Sequence, residues 1–222
     1  MMIKMDKYEV MGWEHAIRGM RNPLNSWDKS DSGFVYDEDY NGSFIGIDFD
    51  FGGYKVIGDN DLSLMKKLVK SGTDHRKFMR MITVYVDITA PIYWFKEFDT
   101  YKIGSVSNST STMHTIHKKE FTLDDFSYEH LDDFSLKYLE QTIMYLNAMR
   151  EMYLENKNKH YWWQMIQLLP SSYNQKRTVM LNYEVLSNMY RSRKNHKLDE
   201  WRTFCKWIES LPYAKELITD GE

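Results

Sequence analysis

Cysteine is almost missing from this chain: Cys205 stands alone among 222 residues. That excludes an internal disulfide and a cysteine-based zinc site, and it fits a reducing cytoplasm. Long apolar runs are missing as well. None approaches the roughly 18 residues needed to cross a bilayer, and the opening MMIKMDKYEVMGW has no apolar stretch of signal-peptide length. The expectation is a soluble cytoplasmic protein with no membrane partner. An excess of positive charge is also lacking, since the net charge of −3 supplies no basic field for nucleic acid. There is no P-loop, no GxGxxG, no HExxH and no CxxC pair. His114 and His117 lie three apart, but no second ligand cluster accompanies them, so no metal site is read here.

What is present is bulk. Hydrophobic residues make up 42% of the chain, enough for a sizeable core in a single domain spanning residues 1–222. Aromatic residues make up 15%, with seven Trp and 16 Tyr, which fits flat ligands, large interfaces or a bulky core. The patterning predicts a short strand over 1–10, a helix from Trp13 to Arg21 broken at Asn22-Pro23, and a long loop over 28–43. Alternation over Phe44–Phe51, then Gly52-Gly53, then Tyr54–Ile57, predicts a β-hairpin. A helix follows from Asn60 or Asp61 to a left-handed stop at Gly72. Met81–Ile88 alternates as a strand, in one sheet with the hairpin, and feeds a helix opened by Pro91. The C-terminal half is expected to be helical throughout. One face steps through Leu136, Leu139, Ile143, Leu146 and Met149, another helix is stopped by Pro170, and a last face holds Leu198, Trp201, Phe204, Cys205 and Ile208. The fold class expected is α+β, a small, mostly antiparallel sheet packed with several α-helices.

One polar stretch stands out. From Ser105 to Thr112, seven of eight side chains are hydroxyls or amides. Such a run cannot build a core. It is either a solvated loop or a set of short hydrogen-bonding groups around a phosphate or a base edge, among them Ser105, Ser107, Asn108, Thr110 and Ser111. His75, Arg76 and Lys77, between a helix end and a strand, are either a basic helix terminus or an anion contact. Arg18 and Arg21 share a helix face in the same ambiguous way.

Element order and several spaced residues resemble the flavin-dependent thymidylate synthases. That family's signature runs Arg-His-Arg, two residues, Ser, one residue, Asn, two residues, Ser, one residue, Arg-Tyr. Laid on this chain it begins at Thr100-Tyr101-Lys102 and places Ser105, Ser107, Thr110 and Thr112-Met113 on its later positions, with only Ser105 identical. Downstream, Leu169-Pro170, Asn182, Asn188 and Arg193 match the family's spacing, and His196 and Glu200 resemble its His-Ala-Gln-Trp-Glu stretch. Upstream, Gly72 and Phe78 resemble its Gly-His-x-x-Pro-Phe-Glu-His segment.

The resemblance implies FAD as cofactor, with NADPH and methylenetetrahydrofolate as further reactants, and a dUMP-like pyrimidine nucleotide as substrate. It implies a homotetramer with sites shared between subunits. Asn182, Asn188, Lys102, His75 and Arg76 would face the cofactor, the Ser/Thr run the substrate, and Arg193 would stabilise charge on the pyrimidine. Three departures weaken an anion site: Thr100 and Thr112 replace arginines, and Glu184 stands where the family has another. Lys102 and Arg191 are the cations left to compensate. Three readings therefore stay open: a flavin-dependent nucleotide methyltransferase, a nucleotide-binding protein without chemistry, and an interaction or structural protein on the same scaffold.

Overall fold

The computed structural model describes residues 3–220. In chain order its elements are β1 (Lys4–Met11), α1 (Trp13–Arg21), β2 (Gly33–Val35), β3 (Gly46–Asp48), β4 (Gly53–Val56) and α2 (Asp59–Lys70). Then come β5 (Thr83–Pro91), α3 (Ile92–Phe98), β6 (Val106–Ser109), α4 (Thr112–Thr115), α5 (Asp133–Asn156), α6 (Lys159–Leu168), β7 (Asn174–Asn182), α7 (Tyr183–Arg193) and α8 (Asp199–Glu209). Strands β1, β5, β7 and β6, in that order, form a four-stranded sheet. The order β2-β4-β3 forms a separate three-stranded antiparallel sheet, with Ile47 opposite Tyr54. The α+β class stands. The hairpin and the Met81–Ile88 strand, however, belong to different sheets rather than one.

The chain divides into two compact units. One takes the chain up to Asp6, Asp87–Thr100 and Ser107–Thr178; the other takes Lys7–Val86, Tyr101–Val106 and everything from Val179 onward. In the first, α3 buries Trp94, Phe95 and Phe98, with Trp94 stacked on Phe98 at 5.0 Å between ring centroids. The face of α5 that carries Leu139, Ile143 and Leu146 packs with Met165 of α6 and with Ile116, Phe121 and Phe126. Asn147 locks the incoming chain to α5 by bonding both the N–H and the carbonyl of Phe121, each at 2.8 Å. The opposite side of α5 leaves Phe134, Tyr138 and Met144 in solvent.

In the second unit α7 packs against α8 and a π-helical turn at Lys215–Thr219. Here one buried ion pair organises three segments. Arg21, at the end of α1, places Nε 2.6 Å from the Asp61 carboxylate. Its other nitrogens donate to the carbonyls of Ser26 (3.1 Å) and Lys29 (3.0 Å). The second Asp61 oxygen accepts from the Ser30 hydroxyl and from both the hydroxyl and the N–H of Ser32. The sequence placed Asn60 or Asp61 as the cap of α2. Instead Asp31 reaches over from the preceding loop and accepts from the N–H groups of both residues. Gly58 is required at this crossing, because a Cβ there would sit 2.3 Å from the Asp31 side chain.

Other differences have local causes. The segment predicted as loop over 28–43 contains β2, three residues too short to show alternation. The expected continuous C-terminal helicity is interrupted by β7, which begins four residues after Pro170. The burial of β7 alternates only from Val179 onward, which hid its period. Gly72 does adopt the left-handed conformation (φ 98°) after α2.

Burial pushes the Asp61 carboxyl up, but hydrogen bonds from Ser32, Ser30 and Arg21 together outweigh it and hold its pKa below the ordinary 3.8. A depressed carboxyl contributes its full stability above the unfolded-state pKa and loses it as pH falls through the folded-state value. Urea unfolding should therefore show stability declining below about pH 4. Asp61→Asn, which strands Arg21 in the interior, should cost about 3–5 kcal/mol at neutral pH.

Candidate functional site along α7

The second unit holds a compact arrangement around α7. Asn182 ends β7 in extended conformation (φ −135°, ψ 166°) and caps the helix, its side-chain oxygen accepting from the Val185 N–H at 3.0 Å. Its amide nitrogen donates to the Gly104 carbonyl at 3.4 Å. At the far end of the helix, Arg193 Nε donates to the Tyr101 hydroxyl at 3.0 Å. The segment 101–104 thus runs as a strap along α7, held at both ends. Gly104 is needed for this: φ is 79°, and a Cβ would meet Asn182 Nδ2 at 2.7 Å and Val185 Cγ2 at 3.0 Å.

Arg193 is half-buried and sits over two rings, its guanidinium carbon 4.9 Å from the Trp201 centroid and 5.7 Å from that of Tyr101. Such stacking on partly desolvated rings contributes about 0.5–2 kcal/mol and fixes the plane of the cation. The result is a positioned charge instead of a floppy one. Cys205 lies close enough for Arg193 to favour its thiolate. Burial, and then Glu209, dominate and push the thiol up to about 12, so it is no nucleophile at neutral pH.

The expected site residues divide as follows. Lys102, Ser105, Asn182, Asn188 and Arg193 all belong to the strap, α7 or its cap. Lys102 and Asn188 are exposed; Ser105 donates to the Tyr101 carbonyl and closes the strap's turn. Asn182 is a cap and not part of the helix. Asn188 and Arg193 remain on α7, five residues and about 140° apart. Arg76 lies in a short 3-10 turn (Arg76–Arg80) and is spent on Glu184, Nε 3.0 Å from that carboxylate with both side chains nearly buried. The carboxylate that replaces a family arginine is thus neutralised internally and does not repel an anion. His75 lines a different cavity of about 350 Å³ with Lys77, Asp74 and Met20.

Ser107, Asn108, Thr110 and Ser111 belong to the first unit. Ser107 and Asn108 lie on β6, an edge strand with every residue exposed, where a loop was expected. The Thr110 hydroxyl donates to the Lys176 carbonyl, and Ser111 caps α4 by accepting from the His114 N–H. Two contributors escaped the sequence reading. Tyr101 occupies the His position of the signature, and Trp201 sits next to Glu200 in the stretch already singled out; either place could have flagged them. Arg191 also keeps a buried Nε that has no partner among the described residues, although its terminal nitrogen reaches the Ser187 hydroxyl at 2.9 Å.

No protein-family model matches the chain, and no curated protein matches it. Solved structures do. The fold is that of the flavin-dependent thymidylate synthases. Among the matches is thymidylate synthase X (ThyX) from Helicobacter pylori with FAD and dUMP, at 16% identity and TM-score 0.65, covering 100% of this chain and 98% of that one. Another structure of the Helicobacter pylori enzyme with FAD and dUMP has 17% identity, TM-score 0.63 and 99% coverage of both chains. A UMP/dUMP methylase, PolB, from Streptomyces cacaoi bound with 5-Br dUMP has 13% identity and TM-score 0.60, over 98% of this chain and 95% of that one. No helix among the described residues is long and apolar enough to cross a membrane.

Gly104→Ala tests the strap. Forcing a Cβ into a left-handed position against Asn182 should cost about 1–2 kcal/mol in urea unfolding, and the strap's amides should exchange faster with solvent.

Proposed function

We propose that this chain binds a pyrimidine nucleotide, dUMP or a close relative, and modifies it with FAD and a folate-derived carbon, NADPH serving as reductant. The observation that carries the reading is Arg193, held in plane by Tyr101 and Trp201 on a fold whose solved members include complexes with FAD and dUMP. A cation fixed before the ligand arrives needs no reorganisation as negative charge grows on the ring. Lys102, exposed on the strap beside it, is placed to add a mobile charge for phosphate. The orphaned Arg191 N–H and the exposed Asn188, three apart on one face of α7, fit an anionic, amide-reading ligand. The flavin, when bound, supplies the hydride chemistry, and the protein's part is orientation and electrostatics. Ser105, Ser107, Asn108, Thr110 and Ser111 would serve the substrate in a homotetramer of the cytoplasm, with the apolar side chains Phe134, Tyr138 and Met144 covered by neighbouring subunits.

A second reading, nucleotide binding without turnover, rests on a specific observation. Arg76 is consumed by Glu184, and threonines stand at positions 100 and 112, so fewer cations remain for a doubly anionic cofactor.

The absorption spectrum of the purified protein and calorimetry with dUMP and FAD decide between these. Flavin bands with turnover of dUMP support the first reading, and dUMP binding without flavin supports the second. Arg193→Ala should weaken dUMP by about 1.5–3 kcal/mol, and Tyr101→Phe by about 0.5–1.5 kcal/mol. Unchanged affinity in Arg193→Ala removes that residue from the site. No binding of either ligand leaves an interaction or structural protein. Light scattering at tens of micromolar checks the tetramer, and a monomer there would count against it.

A further inference from the structure

Charge is unevenly spread along this chain. The stretch between Lys29 and Lys55 contains no lysine, arginine or histidine, yet holds Asp31, Asp37, Glu38, Asp39, Asp48 and Asp50. It carries −6 in a chain whose net charge is −3, so everything outside it sums to +3. The same stretch supplies β2, β3 and the β3–β4 turn of the three-stranded sheet. Asp31 is engaged at the start of α2, but the other five carboxylates form no ion pair among the described residues. The sheet is the negative end of the second unit.

The pairing register shows what one of its faces presents. Phe34 and Gly46 both lie opposite Lys55, and Asp48 lies opposite Gly53. Residues directly opposite in an antiparallel sheet share a face. Tyr36 joins them: its ring stacks on Phe34 at 6.1 Å between centroids, and its hydroxyl donates to Asp48 Oδ2 at 3.3 Å. The two glycines keep the face bare, and a Cβ at Gly53 would sit 2.5 Å from the Tyr36 ring. One cation is already received here. Lys55 Nζ lies 5.4 Å from the Phe34 centroid and bonds the Glu14 carboxylate, so a ring and a carboxylate hold it together. Tyr36 with Asp48 repeats that combination, yet no cation of the described residues stacks on Tyr36, which is 61% exposed. Next to Asp48, at the β3–β4 turn, Phe49 and Phe51 are 88% and 79% exposed.

We propose that this face of the three-stranded sheet docks a cationic segment of another protein, which sets an arginine or lysine on Tyr36 and Asp48 and apolar side chains against Phe49 and Phe51. Each requirement follows from the surface. Unpaired carboxylates attract a basic partner and turn away an acidic one. A ring beside a carboxylate suits a partly desolvated cation, as Lys55 demonstrates within the chain. Exposed phenyl rings side by side with those charges give a partner apolar area to cover, which charge alone would not use. The cations along α7 select the opposite charge, so this surface is separate from the nucleotide reading.

A fluorescent peptide in which arginine alternates with leucine is the probe, followed by anisotropy on the full chain. Peptides with glutamate in place of arginine, or serine in place of leucine, are the comparisons. The arginine–leucine peptide should bind saturably and more weakly as salt rises. The glutamate peptide should not bind, and the arginine–serine peptide should bind at least about fivefold more weakly. Phe49→Ala should weaken binding by a similar factor, and Asp48→Asn, which keeps the oxygen that accepts from the Asp50 and Phe51 N–H groups, by about fivefold. Glu151→Gln with Glu155→Gln, exposed on α5, should change nothing. No saturable binding, equal affinity for the serine peptide, or unchanged affinity in both Asp48→Asn and Phe49→Ala would overturn the proposal. Self-association of the full chain that Phe49→Ala abolishes would assign the face to a second copy, and would overturn it as well.

Discussion

Burying one guanidinium and one carboxylate together constrains the second unit more than any other contact. Arg21 and Asp61 are both nearly inaccessible, and each would be costly alone in that position. They are tolerable because almost every hydrogen-bonding position on the pair is used, by Ser26, Lys29, Ser30 and Ser32. The consequence is geometric. The loop after α1 has no freedom left, so Asp31 falls at the start of α2 and caps it, and β2 begins two residues later. The hairpin sheet inherits its position from this chain of constraints.

A second buried pair, Arg76–Glu184, lies at the start of α7. It ties the turn before β5 to the helix that carries Arg193, and so fixes the base of that helix. Here the sequence was informative yet easy to misread. A carboxylate in place of an arginine suggested lost anion affinity. In the fold it is a buried partner, and the arginine expected at the ligand is the one that neutralises it. Charge counting along a sequence cannot separate a cation that meets a ligand from one that meets an interior carboxylate 108 residues away.

Legibility followed the strength of local signals. Helices α1, α2, α5, α6 and α8 were readable because three- and four-residue spacing repeats over several turns, and Gly72 marks its stop by a conformation few other residues adopt. Strands β2, β6 and β7 were not. The first is three residues long, the second is exposed on both faces, and the third alternates in only one half. Which strands share a sheet was illegible for a different reason, since pairing is decided by packing at long range. Of the candidate site, Arg193 and Asn182 were singled out by the resemblance to a family's spaced residues. Their partners Tyr101 and Trp201 were passed over despite their places in the matched stretches, because a ring that positions a cation looks in sequence like any other aromatic residue in a chain rich in them.

The strap over α7 has a temporal side as well. Its two anchors join residues 78 and 92 positions apart, Gly104 to Asn182 and Tyr101 to Arg193. Contacts of that separation cannot form until the later segment has been made and α7 has docked. Between the anchors, Lys102 and Ile103 are exposed and bury nothing that would hold them. The strap is therefore among the last parts of the unit to settle and among the first to open in local fluctuations. A ligand held against Arg193 would meet yielding backbone on one side and, on the other, a helix packed against α8.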